Sequence, residues 1–529
     1  MHGREPMSKV DTAWLRMESP TNLMMITGVL VLEKRLSVER LKQTVSARFL
    51  KYRRFNQRVI DLGAQAFWEV DVNFAIERHV HRMALPGAAD KAELERCVSE
   101  LASTALDHQR PLWEFHLIED YAGGSALVVR IHHCYADGIA LVQVMLSLTD
   151  SDPKFRDEAP APAPEVDSGG GFFERMFAPT RKGMDQFSDL IDGVLKKAAE
   201  FSQHPQAASE ALAAKAQNGL REVGAFAREL GAALSLSDDP QTALKGRLGT
   251  EKCVAWCAPL PLDEVKLVGR VFGATVNDVL LACASGVLRA HLLERGEALD
   301  GLQIRASVPV NLRSPQQATT LGNHFGLVFL ELPVGEANPL SRLIAVRQAM
   351  RELKDSRQAM ITFGLLNALG VGPSSVQKPA FELLSRKASV VATNVPGPVD
   401  PLFLAGAPIT EMMFWVPQTG SIGVGLSILS YAGNVYFGLI ADTQLIAEPI
   451  LLTQAFAGEL DKLVLLALMT DDQDGFTPAQ ADAGLRHFST VRPSKPSMKG
   501  TVQPKSPKVA SNKALAPKRT RSRGRPVVR

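Results

Sequence analysis

Two adjacent histidines, His132 and His133, are the side chains of this sequence best placed for chemistry. They stand in the run 130–138, which reads Arg-Ile-His-His-Cys-Tyr-Ala-Asp-Gly. Successive side chains of a strand point to opposite faces, so the two imidazoles cannot serve one site. We predict that His133 faces a cleft as a general base and that His132 is structural. An imidazole with a pKa of about 6.5 can remove the proton from a hydroxyl as it attacks a thioester, without a cysteine or serine nucleophile.

Asp137, four residues after His133, has two interpretations. It can orient the imidazole as the acid of a catalytic triad does, and on that basis we count it with the catalytic residues. It can instead pair with an arginine elsewhere and hold the turn that it makes with Gly138. A spacing of four residues across a turn does not by itself bring the carboxylate to the ring, which favours the second interpretation.

A metal site is the alternative use of the same side chains. His132, His133 and Asp137 are zinc ligands by type, but adjacent histidines on a strand point apart, and no His-Glu-x-x-His pattern occurs. Cys253 and Cys257 have no second pair at the spacing of a zinc site. We therefore predict that the protein holds no metal.

The residues around the motif alternate between strand and helix signals. Residues 26–32 read as a strand, and Ser37 then caps an amphipathic helix. Residues 115–119 and 126–131 read as a hairpin that turns at Gly123-Gly124. A helical run follows the motif. The histidines therefore lie where a strand ends and a helix begins, a position that holds a ring at a fixed angle in a cleft.

Similar signals return in the second half of the chain. Thr275 and Asp278 have the spacing of a capping box, and Asn338 before a proline starts another helix. The strand-like runs of this half are 304–310, 327–332, 427–431 and 435–440, the last two joined by a Gly-Asn turn. The whole pattern predicts an α/β protein with two halves of similar size.

The composition divides the chain into four parts. Residues 1–155 form an N-terminal domain with the histidine motif, and residues 241–475 form a second domain. Between them, residues 156–240 hold a Pro-rich and a Gly-rich linker and two amphipathic helices, which pack on the body or on lipid. Residues 476–529 are a tail rich in Pro, Ser and Lys, for which we predict disorder.

Charge and cysteine content suggest a compartment. Formal net charge is +3, but residues 491–529 hold 12 Lys and Arg and no acidic residue, so the rest carries 3 − 12 = −9. The basic tail is suited to anionic surfaces such as lipid or nucleic acid, or it is simply solvated. The five scattered cysteines indicate reduced thiols, and we expect a cytoplasmic protein. No apolar run reaches the length of a membrane span, and the N-terminus does not read as a signal peptide.

Several motifs together resemble the wax ester synthase/diacylglycerol acyltransferase family of bacteria. Pro111-Leu112-Trp113 is similar to the family's Pro-Leu-Trp element, and residues 132–138 match its His-His-x-x-x-Asp-Gly element. Asn277-Asp278 is similar to its Asn-Asp element. Further matches follow in the expected order at 308–313, 322–326 and 393–398. The resemblance covers about residues 8 to 470.

The resemblance implies a fold and a site. The fold would be two chloramphenicol-acetyltransferase-like domains with mixed sheets, joined by a long helical crossover, with the active-site channel between them. His133 matches the catalytic histidine. Asn277 would steady an oxyanion or position a substrate, or else cap its helix with Asp278. Arg313 is a candidate partner of Asp137, or else an ordinary surface arginine.

The resemblance also implies the substrates. Acyl-CoA would be the acyl donor and a substrate, so no cofactor is expected. The acceptor would be diacylglycerol or a long-chain alcohol, with peripheral contact at the inner membrane or a lipid inclusion. This chain has Cys134 and Tyr135 where family members usually carry alanine and an aliphatic residue. We expect that difference to affect the choice of substrate rather than the reaction type.

Three other functions use the same features differently. A condensation domain or a polyketide-associated acyltransferase shares the histidine motif and the two-domain plan, but the Pro-Leu-Trp and Asn-Asp elements favour the lipid enzyme. A non-catalytic protein of lipid inclusions would use the amphipathic helices and the basic tail. A nucleic-acid-binding protein would depend on the tail alone, and its binding would weaken with salt.

Overall fold

The computed structural model describes residues 4–63, 65–154, 236–312, 321–354, 356, 358–371, 381–418, 420–470 and 477–483. These residues all fall within one compact unit, Met1–Gly484. The predicted crossover helices, Arg313 and the residues after 483 lie outside the described residues. Residues 477–483 of the predicted tail are described: they include a helical turn with a buried Ala481, and the Asn338 side chain donates to the Pro478 carbonyl oxygen over 2.8 Å.

Strands and helices alternate through both halves of the chain. The strands are β1 (Glu5–Pro6), β2 (Met25–Leu32), β3 (Gln57–Asp61), β4 (Ala66–Val70), β5 (Val80–Met83), β6 (Trp113–Tyr121), β7 (Gly124–His132), β8 (Thr149–Asp150), β9 (Lys252–Trp256), β10 (Leu260–Pro261), β11 (Ile304–Asn311), β12 (Phe325–Leu332), β13 (Val390–Pro396), β14 (Phe403–Leu404), β15 (Ala407–Trp415), β16 (Val424–Tyr431) and β17 (Asn434–Asp442). The helices are α1 (Lys9–Met17), α2 (Val38–Arg48), α3 (Lys91–Ala102), α4 (Gly138–Ser147), α5 (Leu262–Phe272), α6 (Val276–Glu294), α7 (Pro339–Lys354), α8 (Gln358–Val371) and α9 (Pro449–Leu468).

Two seven-stranded mixed sheets form the cores of two lobes. The first sheet has the order β5-β6-β7-β2-β15-β14-β8, with β5 parallel to β6 and the other pairs antiparallel. The second has the order β10-β17-β16-β13-β11-β12, with β9 also paired to β17, and β13 lies parallel to both β11 and β16. A smaller sheet joins β1, β4 and β3. Nearly every residue of β7 and β17 is buried, which shows that both faces of their sheets are covered at these strands.

The first sheet takes two of its strands from the second half of the chain. β15 pairs antiparallel with β2, and β14 joins β15 to β8. Residues 403–415 follow other strands of the predicted C-terminal domain along the chain, so the sequence alone assigns them to that domain. The two halves are therefore lobes that share a sheet, and the boundaries predicted at residues 155, 240 and 475 stay predictions.

The two predicted hairpins form, but each turn lies one residue earlier than predicted. Ala122 (φ 51°) and Gly123 (φ 82°) make the first turn, and Ala432 (φ 48°) and Gly433 (φ 78°) make the second. Positive φ at both central residues is the type I′ arrangement, in which asparagine rather than alanine usually stands first. Gly124 serves β7 instead, because a Cβ there would lie 1.9 Å from the Leu32 carbonyl oxygen.

The helix caps predicted from the sequence are confirmed. The Ser37 hydroxyl accepts a hydrogen bond from the Arg40 amide at the start of α2. Thr275 and Asp278 form the capping box of α6, and their two hydrogen bonds measure 2.8 and 3.2 Å. Each pair is local in sequence, so these signals act without tertiary context.

Helix α6 is apolar along most of its length. It is the one helix of the described chain that is long and apolar enough to cross a membrane. Its most apolar stretch of 18 residues is 72% buried inside the protein. Leu280, Cys283 and Val287 of this helix pack into the core of the second lobe. Burial of this kind is typical of the core helix of a soluble domain.

Candidate active site

A cavity lies between the two lobes, and His133 forms part of its wall. We call it the histidine cavity. Its other lining residues include Trp14, Asp137 and Gly138 from the first lobe and Ser307, Asn311, Phe325, Leu327, Thr393 and Asn394 from the second. The sequence alone did not predict that these second-lobe residues lie near His133, because their proximity depends on how the two lobes pack. The cavity is a concave, mainly apolar site with a few polar groups, which is the usual form of a ligand site.

The His133 imidazole is held by aromatic stacking. Its ring lies 4.4 Å from the Trp14 ring with an angle of 18° between the planes, and 5.6 Å from the Phe325 ring. The His133 amide donates to the Met24 carbonyl oxygen over 2.7 Å. Its Nδ1 atom is buried and has no hydrogen-bond partner among the described residues. Two aromatic side chains and one backbone bond therefore hold the residue. Trp14 was not among the site residues predicted from the sequence.

Burial lowers the pKa of His133 to about 4. The negative charge of Asp137 opposes this shift, and the neighbouring His132 adds to it. The imidazole is therefore neutral at pH 7, which is the form that can accept a proton. The carboxylate also favours the imidazolium that forms for a moment during proton transfer.

A reaction that uses His133 as its base should show this lowered pKa in its pH profile. Because only neutral His133 can act as a base, kcat/KM should stay level as pH falls through 6.5 and decline as pH approaches 4. Initial rates between pH 4 and 8 would measure the position of the acid limb, with circular dichroism confirming that the protein stays folded at each pH. A limb centred near the ordinary imidazole pKa of about 6.5 would contradict the assignment.

His132 points away from the histidine cavity, as predicted. Its Nε2 lies 3.3 Å from a Glu18 carboxylate oxygen, and its Nδ1 accepts a hydrogen bond from the Cys134 amide at 3.1 Å. These partners give Nε2 the proton and make Nδ1 the acceptor. Burial alone would raise the pKa of Glu18, but hydrogen bonds from His108 and His132 bring it to about 2. A charged carboxylate thus anchors the turn that carries His133.

Asp137 lies at the junction of the lobes. One carboxylate oxygen caps α4 by accepting from the Ala140 amide at 3.1 Å, and the other accepts from the His324 amide at 3.0 Å. The Asp137 amide donates to the Gly322 carbonyl oxygen over 3.3 Å. These bonds match the structural interpretation, with backbone amides as partners. Its catalytic role and its pairing with Arg313 stay predictions.

A second clamp holds the histidine turn from the other side. The Asn323 side chain donates to the His133 carbonyl oxygen and to a carboxylate oxygen of Asp11, each over 2.9 Å. The Asn323 backbone amide donates to the same Asp11 oxygen over 3.0 Å. Both residues are 2% exposed, and burial raises the pKa of Asp11. The clamp joins α1, the histidine turn and the residues just before β12.

The Pro-Leu-Trp element supports the same turn from below. The Leu112 carbonyl accepts from the His132 amide, and the Leu112 amide donates to the Tyr135 hydroxyl, each over 3.0 Å. The Trp113 indole donates to the Phe55 carbonyl oxygen over 2.9 Å, and its own amide bonds to the carbonyl of Pro111. The element is therefore structural in this protein and lines neither cavity described here.

Asn277 is near the histidine cavity but does not line it. It is 2% exposed in the first turn of α6, and its Oδ1 accepts a hydrogen bond from the Asn394 side chain over 2.8 Å. Asn394 does line the cavity. The predicted role of Asn277 at the oxyanion stays a prediction, and the structure adds Asn394 as the residue between Asn277 and the substrate space. Asp278 acts as a helix cap.

A second cavity adjoins the histidine cavity. We call it the apolar cavity, and it lies between β2, β7, α4 and β15. Gly138, Phe414 and Val416 line both cavities. A Cβ on Gly138 would meet nothing within 4 Å, so the glycine leaves open space where the cavities meet. The remaining wall is almost entirely aliphatic, which suits a hydrocarbon chain.

Comparison with known proteins identifies the family. Residues 7–280 match the wax ester synthase/diacylglycerol acyltransferase catalytic domain, and residues 321–464 match the C-terminal domain of the same family. The chain belongs to the wax ester synthase/diacylglycerol acyltransferase family. Membership makes it an acyltransferase, as the sequence predicted.

This acyltransferase aligns with most of the length of its relatives. A probable diacylglycerol O-acyltransferase of Mycobacterium tuberculosis is 29% identical over 431 residues, which are 78% of this chain and 85% of the relative. A putative diacylglycerol O-acyltransferase of the same species is 28% identical over 486 residues, 87% of this chain and 90% of the relative.

Solved structures support the predicted fold. The wax ester synthase/diacylglycerol acyltransferase from Marinobacter aquaeolei VT8 aligns with a TM-score of 0.62 and 21% identity, covering 88% of this chain and 100% of that one. The first condensation domain of the calcium-dependent antibiotic synthetase aligns with a TM-score of 0.54 and 16% identity, covering 90% and 98%. The prediction of two chloramphenicol-acetyltransferase-like lobes with mixed sheets is confirmed. The crossover lies outside the described residues.

Cys134 and Tyr135, the two motif residues for which we expected an effect on substrate choice, lie away from the cavities. Cys134 and Tyr135 are fully buried, and Tyr135 stacks on Phe55 with ring centroids 5.3 Å apart. Neither residue lines the histidine cavity or the apolar cavity. We therefore do not expect these differences to select the substrate through direct contact. No group of three or more His, Cys, Asp or Glu in the described part of the chain could hold a metal ion.

Proposed function

We propose that this acyltransferase moves a long-chain acyl group from acyl-CoA to the hydroxyl of a lipid alcohol, with His133 as the general base. The observation that carries the proposal is the place of His133. A neutral imidazole lies in the wall of a cavity that adjoins a second, aliphatic one. The name of the family gives two activities, wax ester synthesis and diacylglycerol acylation, and a long-chain alcohol or diacylglycerol would be the corresponding acceptor.

The reaction needs one proton carrier. His133 removes the hydroxyl proton as the oxygen attacks the thioester carbonyl carbon, which forms a C–O bond and a tetrahedral intermediate. The intermediate collapses, the C–S bond breaks, and the imidazolium returns the proton to the departing thiolate. The products are an ester and free CoA. Both substrates are present together, so no acyl-enzyme and no resident cofactor are required.

The acceptor also sets the location that we propose. Diacylglycerols and fatty alcohols are held in membranes or lipid inclusions, so a cytoplasmic enzyme must contact such a surface to reach them. The 12 Lys and Arg between residues 491 and 529 would favour an anionic lipid surface.

The apolar cavity would hold one of the two hydrocarbon chains. Val142 and Met145 on α4 and Met412 on β15 contribute to its wall and are only partly buried by the protein. A larger side chain at such a position would shorten the space without opening a void elsewhere. Each methylene group that is kept out of an apolar site loses about 0.8 kcal/mol of binding free energy.

Replacing Val142 with phenylalanine should therefore change chain-length preference. Loss of two or more methylene contacts should lower the ratio of kcat/KM for palmitoyl over octanoyl substrates by about tenfold or more. CoA release would be measured with acyl-CoAs of increasing length and one alcohol, and then with alcohols of increasing length and one acyl-CoA. If the acyl-CoA series changes, the acyl chain occupies the apolar cavity; if the alcohol series changes, the hydrocarbon chain of the alcohol occupies it.

The exposed Val72 provides a matched control, because it is 89% exposed and lines neither cavity. Val72→Phe should leave both series unchanged. The proposed function fails if CoA release by the folded wild-type protein does not depend on any alcohol. The assignment of the apolar cavity alone fails if Val142→Phe leaves both series as in wild type.

A further inference from the structure

Four polar side chains of the second lobe line the otherwise mainly apolar histidine cavity. Ser307 and Asn311 on β11 and Thr393 and Asn394 on β13 line it, whereas the first-lobe wall near His133 is mainly aromatic. Polar side chains on a cavity wall fix the orientation of a bound polar group. In the proposed reaction, the group that needs such contacts is the thioester carbonyl, whose oxygen gains negative charge.

Asn394 is held from behind by a buried side chain. Its side chain is hydrogen-bonded to Asn277 at 2.8 Å, and Asn277 is 2% exposed with its Nδ2 atom unpartnered among the described residues. A buried amide group without a partner costs about 1–3 kcal/mol. Because Asn277 does not line the cavity, rotation of the paired amides is the change that can give this donor a partner.

Either orientation of the two amides leaves Asn394 with a donor for the cavity. When Asn394 Nδ2 donates to Asn277 Oδ1, the second hydrogen of that nitrogen is still available. When both amides rotate, Asn277 Nδ2 donates to Asn394 Oδ1 and gains the partner that it lacks, and the whole NH₂ group of Asn394 then faces away from Asn277. In both orientations the hydrogen bond to Asn277 restrains the Asn394 amide and leaves Asn394 at least one N–H group with which to donate.

We propose that Asn394 donates a hydrogen bond to the thioester carbonyl oxygen and stabilises the oxyanion, and that Asn277 is a positioning residue that acts through Asn394. The inference rests on the proposed acyl transfer. As the alcohol oxygen bonds to the carbonyl carbon, the C=O electron pair moves to oxygen, where Asn394 stabilises it. The pair returns as the C–S bond breaks, and the thiolate takes its proton from His133.

The test compares Asn394→Ala and Asn394→Asp with wild type. The steady-state rate at which each protein transfers the palmitoyl group from palmitoyl-CoA to hexadecanol is measured. Asn394→Ala should lower kcat by about 100-fold with little change in KM, because the lost bond forms fully only in the transition state. Asn394→Asp keeps the size of the side chain but replaces the donor by a negative charge, and it should lose at least as much. Asn73→Ala, at an exposed asparagine, is the matched control and should behave as wild type.

A double-mutant cycle tests the role of Asn277. Asn277→Ala should lower kcat by roughly tenfold in wild type and have almost no further effect in the Asn394→Ala protein, because the two residues act as one unit. A folded Asn394→Ala or Asn394→Asp protein with wild-type kcat overturns the inference and leaves the proposed function in place. Additive losses overturn the positioning role of Asn277. A wild-type protein that forms no ester overturns the proposed function and this inference together.

Discussion

Replacing Asp11 with alanine is expected to lower both the stability of the protein and its rate of acyl transfer. The Asp11 carboxylate accepts the backbone and side-chain hydrogen bonds of Asn323, and Asn323 holds the carbonyl of His133. Without Asp11, two buried donors lose their partner, at a cost of roughly 1–3 kcal/mol each. The freed histidine turn should also shift, and a displacement of about 1 Å can cost about 100-fold in rate.

Urea unfolding and kcat would measure the two losses. Asp120, whose exposed carboxylate pairs with exposed Arg35, provides a control: Asp120→Ala should change stability by less than about 1 kcal/mol and should not change kcat. Asn323→Ala should reproduce the Asp11→Ala loss, and the double variant should lose little more, since the two residues form one network. An Asp11→Ala protein with wild-type stability and kcat would show that the clamp is not needed.

Replacing His133 with glutamine is expected to abolish most of the transfer activity. General base catalysis by a positioned imidazole contributes about 10²- to 10⁴-fold, and no other residue is assigned to carry the proton in this mechanism. Loss should appear in kcat. The substitution keeps a planar polar group of similar length between Trp14 and Phe325, so the fold should be retained.

The same variant should change how stability depends on pH. In the folded protein the pKa of His133 is about 4, whereas in the unfolded chain it is close to 6.5. Between these values the unfolded chain binds a proton that the folded protein does not, so the free energy of unfolding falls as pH drops from 6.5 to 4. For this group the loss amounts to about 3 kcal/mol. His133→Gln should therefore lose less stability than wild type over this interval.

His132→Gln separates the two neighbouring histidines. His132 bonds to Glu18 and to the Cys134 amide and does not line the histidine cavity, so its replacement should reduce stability while measurable transfer remains. If His132→Gln were as inactive as His133→Gln in an equally stable protein, the assignment of His133 as the single base would be wrong.

The features that could be predicted from the sequence are mostly local ones. Ser37 and the Thr275–Asp278 pair cap their helices through bonds between residues three positions apart. The hairpins follow alternating runs with a nearby turn, and the error of one residue at each turn arose because alanine takes the left-handed position. The split of the two histidines between a cavity and a structural role follows from strand alternation.

The site needed contacts that a single sequence does not reveal. Asp11 and Asn323 are 312 residues apart, and β15 joins the first sheet from the second half of the chain. Trp14 lies in a short N-terminal helix whose sequence gave no sign that it stacks on His133. Asn394 was noticed only as part of a family motif, because its bond to Asn277 joins two separate elements.

The most direct test of the account is the identity of the product made from labelled palmitoyl-CoA. The purified full-length protein would be supplied with dioleoylglycerol in vesicles or with hexadecanol, and the lipids would then be separated. Our account predicts label in triacylglycerol or wax ester, released with an equal amount of CoA, and their ratio would rank the two acceptors. Label that stays in palmitoyl-CoA or appears only as free palmitate, with a folded protein, would contradict acyl transfer to a lipid alcohol.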